Sequence, residues 1–293
     1  MNVRKIFIHF KIFAETIKIE HTIFALPFAI ISCFITVQGF PRISDFLWII
    51  IAMVCCRTIA MLSNRLIDKN IDKLNPRTEQ RSMVIGTFKV SSALIYLIIF
   101  ISLFFISVSQ LHQSTWLLSP IPIFVAIIYS FLKRITWLCH FGIGLVYFLV
   151  PPAVQIAIIG EFENWSIYLG FAGALWVSGF DILYAIFDID VDRKIGIKSL
   201  PAKFGISTSL AVTKLLHFLT ILLLFYTGFS LEFGLIYFIG VVISGILLFY
   251  ENLIVKSNDT SRLNTAFFTM NGVIAIIFLI FSVGDVFIKW EFI

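Results

Sequence analysis

SDFLWIIIAMVCCRTIAMLSNRL, residues 44–66, carries a single charge, Arg57, between its flanks. Coiled as a helix it is about 35 Å long, enough to cross a hydrocarbon layer of ~30 Å. Lipid offers no hydrogen-bond partners, so a spanning segment must pair its own backbone groups, as a helix does. Eight further stretches read the same way, at approximately 21–40, 88–109, 114–131, 138–159, 165–187, 207–227, 231–250 and 264–284. The expected fold class is all-α: a polytopic membrane bundle of nine transmembrane helices forming one domain over 1–293. Short connections at 110–113, 160–164 and 228–230 force their neighbours to run antiparallel.

Composition agrees. Of the 293 residues 59% are hydrophobic and only 13% charged, against ~25% charged in an ordinary soluble domain. Too few charges remain for a polar skin, so lipid must cover much of the surface. The net charge of +5 does not read as a nucleic-acid footprint, because the basic residues sit in short loops between apolar segments. With the N-terminus placed in the cytoplasm, eighteen of the 22 lysines and arginines fall on the cytoplasmic side and Arg42 and Lys289 on the other. That is the positive-inside bias, and adding or removing a span would scramble it. The bilayer expected is the inner membrane of a bacterium. The first residues, MNVRKIFIHFKIFAETIKIEH, form an amphipathic lead-in with no small-residue cleavage site, so no cleaved signal is expected. Cys33, Cys55, Cys56 and Cys139 show no metal spacing and read as core fillers. The 33 phenylalanines are expected to face lipid or line a tail site.

Two connections are long, roughly 67–87 and 188–206, and long loops in a compact domain are usually functional. Each adjoins an acidic cluster. In RTIAMLSNRLIDKNIDKLNPRTEQR, residues 57–81, Asn64, Asp68 and Asp72 are spaced by four and stack on one face if the helix continues. Like charges so placed repel until a hard cation lies between them. Mg2+ takes oxygen ligands, typically one or two carboxylates plus substrate phosphate oxygens and water. Asn75-Pro76 then breaks the helix, and Arg77 and Arg81 follow, suited to gripping a diphosphate. In WVSGFDILYAIFDIDVDRKIGIKSLPAKFG, residues 176–205, Asp181, Tyr184, Asp188 and Asp192 share a helical face, while Asp190 falls off it. Lys198 and Lys203 follow.

The clusters match at an offset of 120 residues, Asp68 to Asp188 and Asp72 to Asp192. They are expected to form two Mg2+ sites facing each other across one cavity. An isolated aspartate at a helix end is ordinary solvation; two four-spaced pairs with trailing cations are not. Asp181 lies about two turns inside an apolar helix, where an ionised group is costly and is a functional candidate by default. Arg57 is a candidate partner. Lys133-Arg134 reads as either a topology signal or a ligand, and Glu20-His21 is a candidate contact to an acceptor. His9, His112, His140 and His217 lack metal spacing and read as structural or interfacial.

These residues resemble the UbiA family of intramembrane aromatic prenyltransferases, whose first motif Asn-x3-Asp-x3-Asp is matched by Asn64, Asp68 and Asp72. The second, Asp-x3-Asp, is matched by Asp188 and Asp192, with Asp181 and Tyr184 upstream and GIKS at 196–199. The resemblance implies transfer of a polyprenyl group from an allylic polyprenyl diphosphate to a hydroxylated aromatic carboxylate in ubiquinone or menaquinone synthesis, with Mg2+ as cofactor. It implies catalytic roles for Asp68, Asp72, Asp181, Asp188 and Asp192, the first two and last two as metal ligands. Substrate binding then falls to Arg57, Asn64, Arg77, Arg81, Lys133, Tyr184 and Lys198, with Arg57 holding the aromatic carboxylate. Stretches such as NRLIDKNIDKLNPRT at 64–78 resemble 4-hydroxybenzoate polyprenyltransferases and the futalosine-route enzymes thought to act on a dihydroxynaphthoate. Arg65, where many relatives carry Asp, fits the latter branch. Rival readings are a secondary transporter, whose site would lie nearer the midplane, and a CDP-alcohol phosphotransferase, whose Asp-Gly-x2-Ala-Arg signature is absent from the sequence. Prenylation of a haem or a chlorophyll-like alcohol stays within the same fold.

Overall fold

The computed structural model describes residues 3–19, 22–257 and 259–290, and the Glu20-His21 pair lies outside them. The described chain is almost wholly helical, with one isolated β-bridge, Lys256 to Asp259. Its helices are α1 (Val3–Ile17), α2 (Thr22–Val37), α3 (Ile43–Asp72), α4 (Val90–Ser109), α5 (Gln113–Leu118), α6 (Pro120–Ile135), α7 (Cys139–Phe148), α8 (Val150–Ile159), α9 (Asn164–Ala185), α10 (Ile189–Ile195), α11 (Leu200–Ser230), α12 (Leu235–Ile254) and α13 (Asn271–Trp290). A 3-10 turn, Ile186–Asp188, links α9 to α10, and a π-helical stretch, Thr265–Met270, leads into α13.

Among the described residues eight helical segments are long and apolar enough to cross a membrane; Phe24–Val37, at the place of the first expected span, is a shorter apolar helix. Two expected spans are broken. The segment over 138–159 divides at Leu149, where Pro151 and Pro152 follow in the first turn of α8, because proline lacks the N–H that continuous helix needs. The segment over 114–131 divides at Ser119, before Pro120. Gly160 ends α8 in the left-handed region, φ 87°, with the His112 ring packed where a Cβ would project.

The long connections differ from expectation. α3 runs on to Asp72, and α9 continues through the 3-10 turn and α10 to Ile195. Helix therefore carries both acidic clusters beyond the apolar segments, and the irregular chain shrinks to 73–89 and 196–199.

Packing forms a closed circuit: α2 on α3, α3 on α6, α6 on α7, α7 on α9, α9 on α11, α11 on α12, α12 on α13, and α13 back on α2. α4 packs outside α3, and α1 lies against α3, with Phe13 stacked on Tyr96 of α4. Ile98, Phe124, Phe218, Ile246, Phe249 and Ile280 are exposed, as a lipid-facing rim requires. Phenylalanine also has a third use: Phe28, Phe34 and Phe278 are buried in the core between helices.

Candidate functional site

The circuit encloses a cavity of about 810 Å³, within the usual range for small-molecule sites. α3 lines it from Ile49 to Asp72, a rise of about 35 Å at 1.5 Å per residue. One end is polar, with Asn64, Asp68, Asp72, Asn75, Arg77, Arg81, Lys133, Asp188 and Asp192. The remainder is mostly apolar, walled by residues such as Ala52, Phe104, Val108, Leu118 and Ile156, with Arg57 among them.

The polar end joins the two clusters. Continuation of α3 stacks Asn64, Asp68 and Asp72 on one wall; continuation of α9 brings Asp181, Tyr184, Asp188 and Asp192 to another. The turn after α3 bridges them. Asn75 Nδ2 donates to Asp188 Oδ1 at 2.7 Å, and Arg77 Nε donates to the same oxygen at 2.8 Å. Arg77 Nη2 donates to Asp188 Oδ2 and Nη1 to the Tyr184 hydroxyl. Burial alone would lower the Arg77 guanidinium, but the bonds to Asp188 and Tyr184 outweigh it and hold it above the usual arginine range. The loop is braced locally: Arg77 N–H donates to Asn75 Oδ1 at 2.9 Å, and Thr78 Oγ1 donates to the Asp72 carbonyl at 2.9 Å.

The other carboxylates are held as well. Arg81 Nη1 lies 2.7 Å from both oxygens of Asp72. Asp68, buried, accepts from Asn64 Nδ2 at 2.8 Å, Arg134 Nη2 at 2.9 Å and Lys133 Nζ. Asp192 accepts from Ser199 Oγ at 2.8 Å. Asp68, Asp72 and Asp192 are buried and Asp188 partly so; buried carboxylates persist only where paired and hydrogen-bonded, and Asp68, Asp72 and Asp188 each have a cation against them.

The donor set suits Mg2+. Four hard carboxylates from opposed helices line one polar pocket. Among the described residues no three acidic, His or Cys side chains close into a ready-made metal cage. Mg2+ bound with phosphate oxygens and water needs no such cage, only one or two carboxylates per ion.

Not every expected residue meets there. Lys198 is absent from the cavity wall; its Nζ donates to the Ile135 carbonyl at 3.0 Å and its N–H to the Lys133 carbonyl at 2.7 Å. Arg57 does line the cavity, and its guanidinium donates to the carbonyls of Ile17 and Lys18 at 2.9 and 3.0 Å, tying α1 to α3. Arg65, the departure from many relatives, donates to the Thr16 carbonyl at 3.1 Å and to Asn64 Oδ1 at 3.2 Å. Asp190 is exposed and off the wall, as its helical position predicts.

Four contacts were not anticipated. Asn75 read only as a helix stop, yet holds Asp188; Arg134 binds Asp68; Ser199 binds Asp192. The fourth concerns Asp181, whose hydrogen-bond partner is His140, not Arg57: His140 Nδ1 is 2.7 Å from Asp181 Oδ2. Metal spacing gives no reason to single out His140 in the sequence. The signal that would have found it is an ionisable residue at the start of an apolar segment that also holds an intramembrane carboxylate's match.

Comparison with known proteins agrees with this geometry. The UbiA prenyltransferase family matches residues 25–273. A 4-hydroxybenzoate octaprenyltransferase of Vesicomyosocius okutanii subsp. Calyptogena okutanii (strain HA) is 30% identical over 254 residues, covering 86% of this chain and 92% of that one. The apo structure of a UbiA homologue from Aeropyrum pernix K1 superposes with a TM-score of 0.81 at 28% identity, covering 94% of this chain and 98% of that one. A UbiA homologue from Archaeoglobus fulgidus bound to GPP and Mg2+ shares the fold at a TM-score of 0.68 and 18% identity, over 94% of this chain and 99% of that one.

Proposed function

Since the chain belongs to the UbiA prenyltransferase family and is a multi-pass membrane protein, we propose that it attaches a polyprenyl group from an allylic polyprenyl diphosphate to a hydroxylated aromatic acid in quinone synthesis. The observation that carries this reading is a single cavity whose polar end gathers both aspartate clusters and whose remainder, along α3 from Met61 to Ile49, is a mostly apolar channel about 18 Å long. A charged headgroup on a long hydrocarbon tail has that profile. The curated relative acts, by its name, on 4-hydroxybenzoate.

The ion pairs favour a role for a metal. Arg77, Arg81 and Lys133 face Asp188, Asp72 and Asp68, so a diphosphate competes with those carboxylates for them. Drawing Arg81 away would leave buried Asp72 without its cation unless other positive charge replaced it. Asp68, Asp72, Asp188 and Asp192 would hold Mg2+, which when bound would restore the balance and supply positive charge against the departing diphosphate. Asn64, Arg77, Arg81 and Lys133 orient the headgroup, and Tyr184 keeps Arg77 aimed. Lys198 acts from outside the wall, bracing the 196–199 loop against Lys133 and Ile135. Departure of diphosphate breaks the allylic C–O bond; an electron-rich ring carbon forms the new C–C bond, and loss of its proton restores aromaticity. Arg57 holds the aromatic carboxylate. The apolar wall keeps water from the allylic cation.

The domain spans 1–293 as nine membrane crossings in the bacterial inner membrane, with N-terminus and site cytoplasmic; the bias of basic residues supports that orientation. Arg65 favours a dihydroxynaphthoate-type acceptor on the menaquinone route, and 4-hydroxybenzoate is the rival acceptor. Membranes containing the protein are incubated with labelled polyprenyl diphosphate and each acid, with Mg2+ or with chelator. Mg2+-dependent prenylated aromatic product is expected, and its absence with both acids would falsify the reading.

A further inference from the structure

His140 is 3% exposed and lies at the start of α7. Its Nε2 accepts from the Leu200 backbone N–H at 3.2 Å. A nitrogen that accepts carries its lone pair there, so the ring proton sits on Nδ1 and is donated to Asp181 Oδ2 at 2.7 Å. Close packing of α7 on α9 sets up the contact. A Cβ at Gly144, one turn beyond His140, would lie 2.8 Å from the Ala174 carbonyl and 2.3 Å from Ser178 Oγ, so only glycine lets the helices approach this far. The other end is equally fixed, because Ser199, next to Leu200, donates to Asp192. Asp181 itself lines the cavity and keeps 31% of its side chain accessible.

The geometry points to a hydroxyl-recognition subsite in which His140 positions Asp181 to receive the phenolic O–H of the acceptor. The assignment rests on the aromatic-acceptor reading given above. An anionic carboxylate on the cavity wall repels the acceptor's carboxylate and accepts its hydroxyl. The acid is thereby turned with its carboxylate toward the Arg57 guanidinium, which lines the same cavity. A hydrogen bond from the hydroxyl to an ionised carboxylate pushes electron density into the ring, at the carbon that attacks. His140 touches no substrate; it acts by holding Asp181 in one orientation and by anchoring it to the loop that also holds Asp192.

The test compares 4-hydroxybenzoate and a dihydroxynaphthoate with their O-methyl ethers, which cannot donate. Binding is measured calorimetrically on purified protein with Mg2+ and diphosphate present. Wild type is expected to prefer the free hydroxyl by about tenfold or more for at least one acid, as a charged hydrogen bond implies. His140→Leu and Asp181→Asn should bring that ratio toward one while diphosphate affinity holds. His140→Asn, whose side-chain amide N–H sits where the Nδ1–H does, should keep most of it. A merely structural role would weaken every ligand and leave the ratio alone. An unchanged ratio in His140→Leu, or no preference in wild type, overturns the assignment. A preference without prenyl transfer by wild type would sink the reaction and leave the subsite standing.

Discussion

The stretch DIDVD holds three aspartates, and the structure gives them different positions. Asp188 and Asp192 line the cavity; Asp190 is exposed and off the wall. Asp188→Ala removes the acceptor of the Asn75 and Arg77 bonds. The Arg77 side chain is 31% exposed, so water recovers much of what it loses, and the folding cost is about 1–2 kcal/mol. The variant therefore still inserts. Activity falls much further, because a ligand for the Mg2+ that would neutralise the leaving group is gone; such deletions cost about 10²–10³-fold, or ~3–4 kcal/mol. Asp190→Ala touches nothing in the cavity and should stay within about twofold of wild type. Initial rates with labelled polyprenyl diphosphate are read over a Mg2+ series, in membranes normalised for protein. The Asp188 variant should also need more Mg2+ for half its maximal rate. Equal losses in the two variants, or a wild-type rate in Asp188→Ala, would refute the reasoning.

Arg134→Ala removes one of two cations from buried Asp68; the headgroup KM should rise several-fold while Lys133→Ala, losing a headgroup ligand as well, costs more, a ranking read from prenyl diphosphate titrations. Ala52→Trp fills the channel about 24 Å along α3 from Asp68; transfer from a short geranyl donor should survive and transfer from a long polyprenyl donor should drop at least tenfold, and equal transfer would show that the tail runs elsewhere. Gly160→Ala places a side chain at φ 87° against the His112 ring, costing about 1–2 kcal/mol from the backbone alone; a lower Tm in detergent with Mg2+-dependent turnover retained is expected, and an unchanged Tm would contradict it.

Helical character and the location of most spans were legible because a bilayer imposes one simple demand, a run of apolar residues that satisfies its own backbone. Where helices stop was less legible. The charged residues between Arg65 and Asp72 read as loop by hydropathy, yet their four-residue spacing already fitted one helical face. The breaks at Ser119 and Leu149 have proline beside them, but a proline early in a helix permits its start as readily as it forbids its interior, so sequence alone does not choose. The aspartates were legible because like charges at helical spacing are costly without a purpose. His140 was not. Its partner lies 41 residues away on another helix, and only the antiparallel packing of α7 on α9 at Gly144 makes the two neighbours.

The cavity that follows α3 from Asp72 to Ile49 has a consequence for turnover. Before reaction, one molecule is both salt and oil; afterwards the salt is a free anion and the oil carries the ring. The first dissolves in water and the second in the membrane, so the two products depart into different phases. The concentration of the membrane product is then set per area of bilayer, and rates expressed against the volume of buffer misstate the concentration the enzyme experiences.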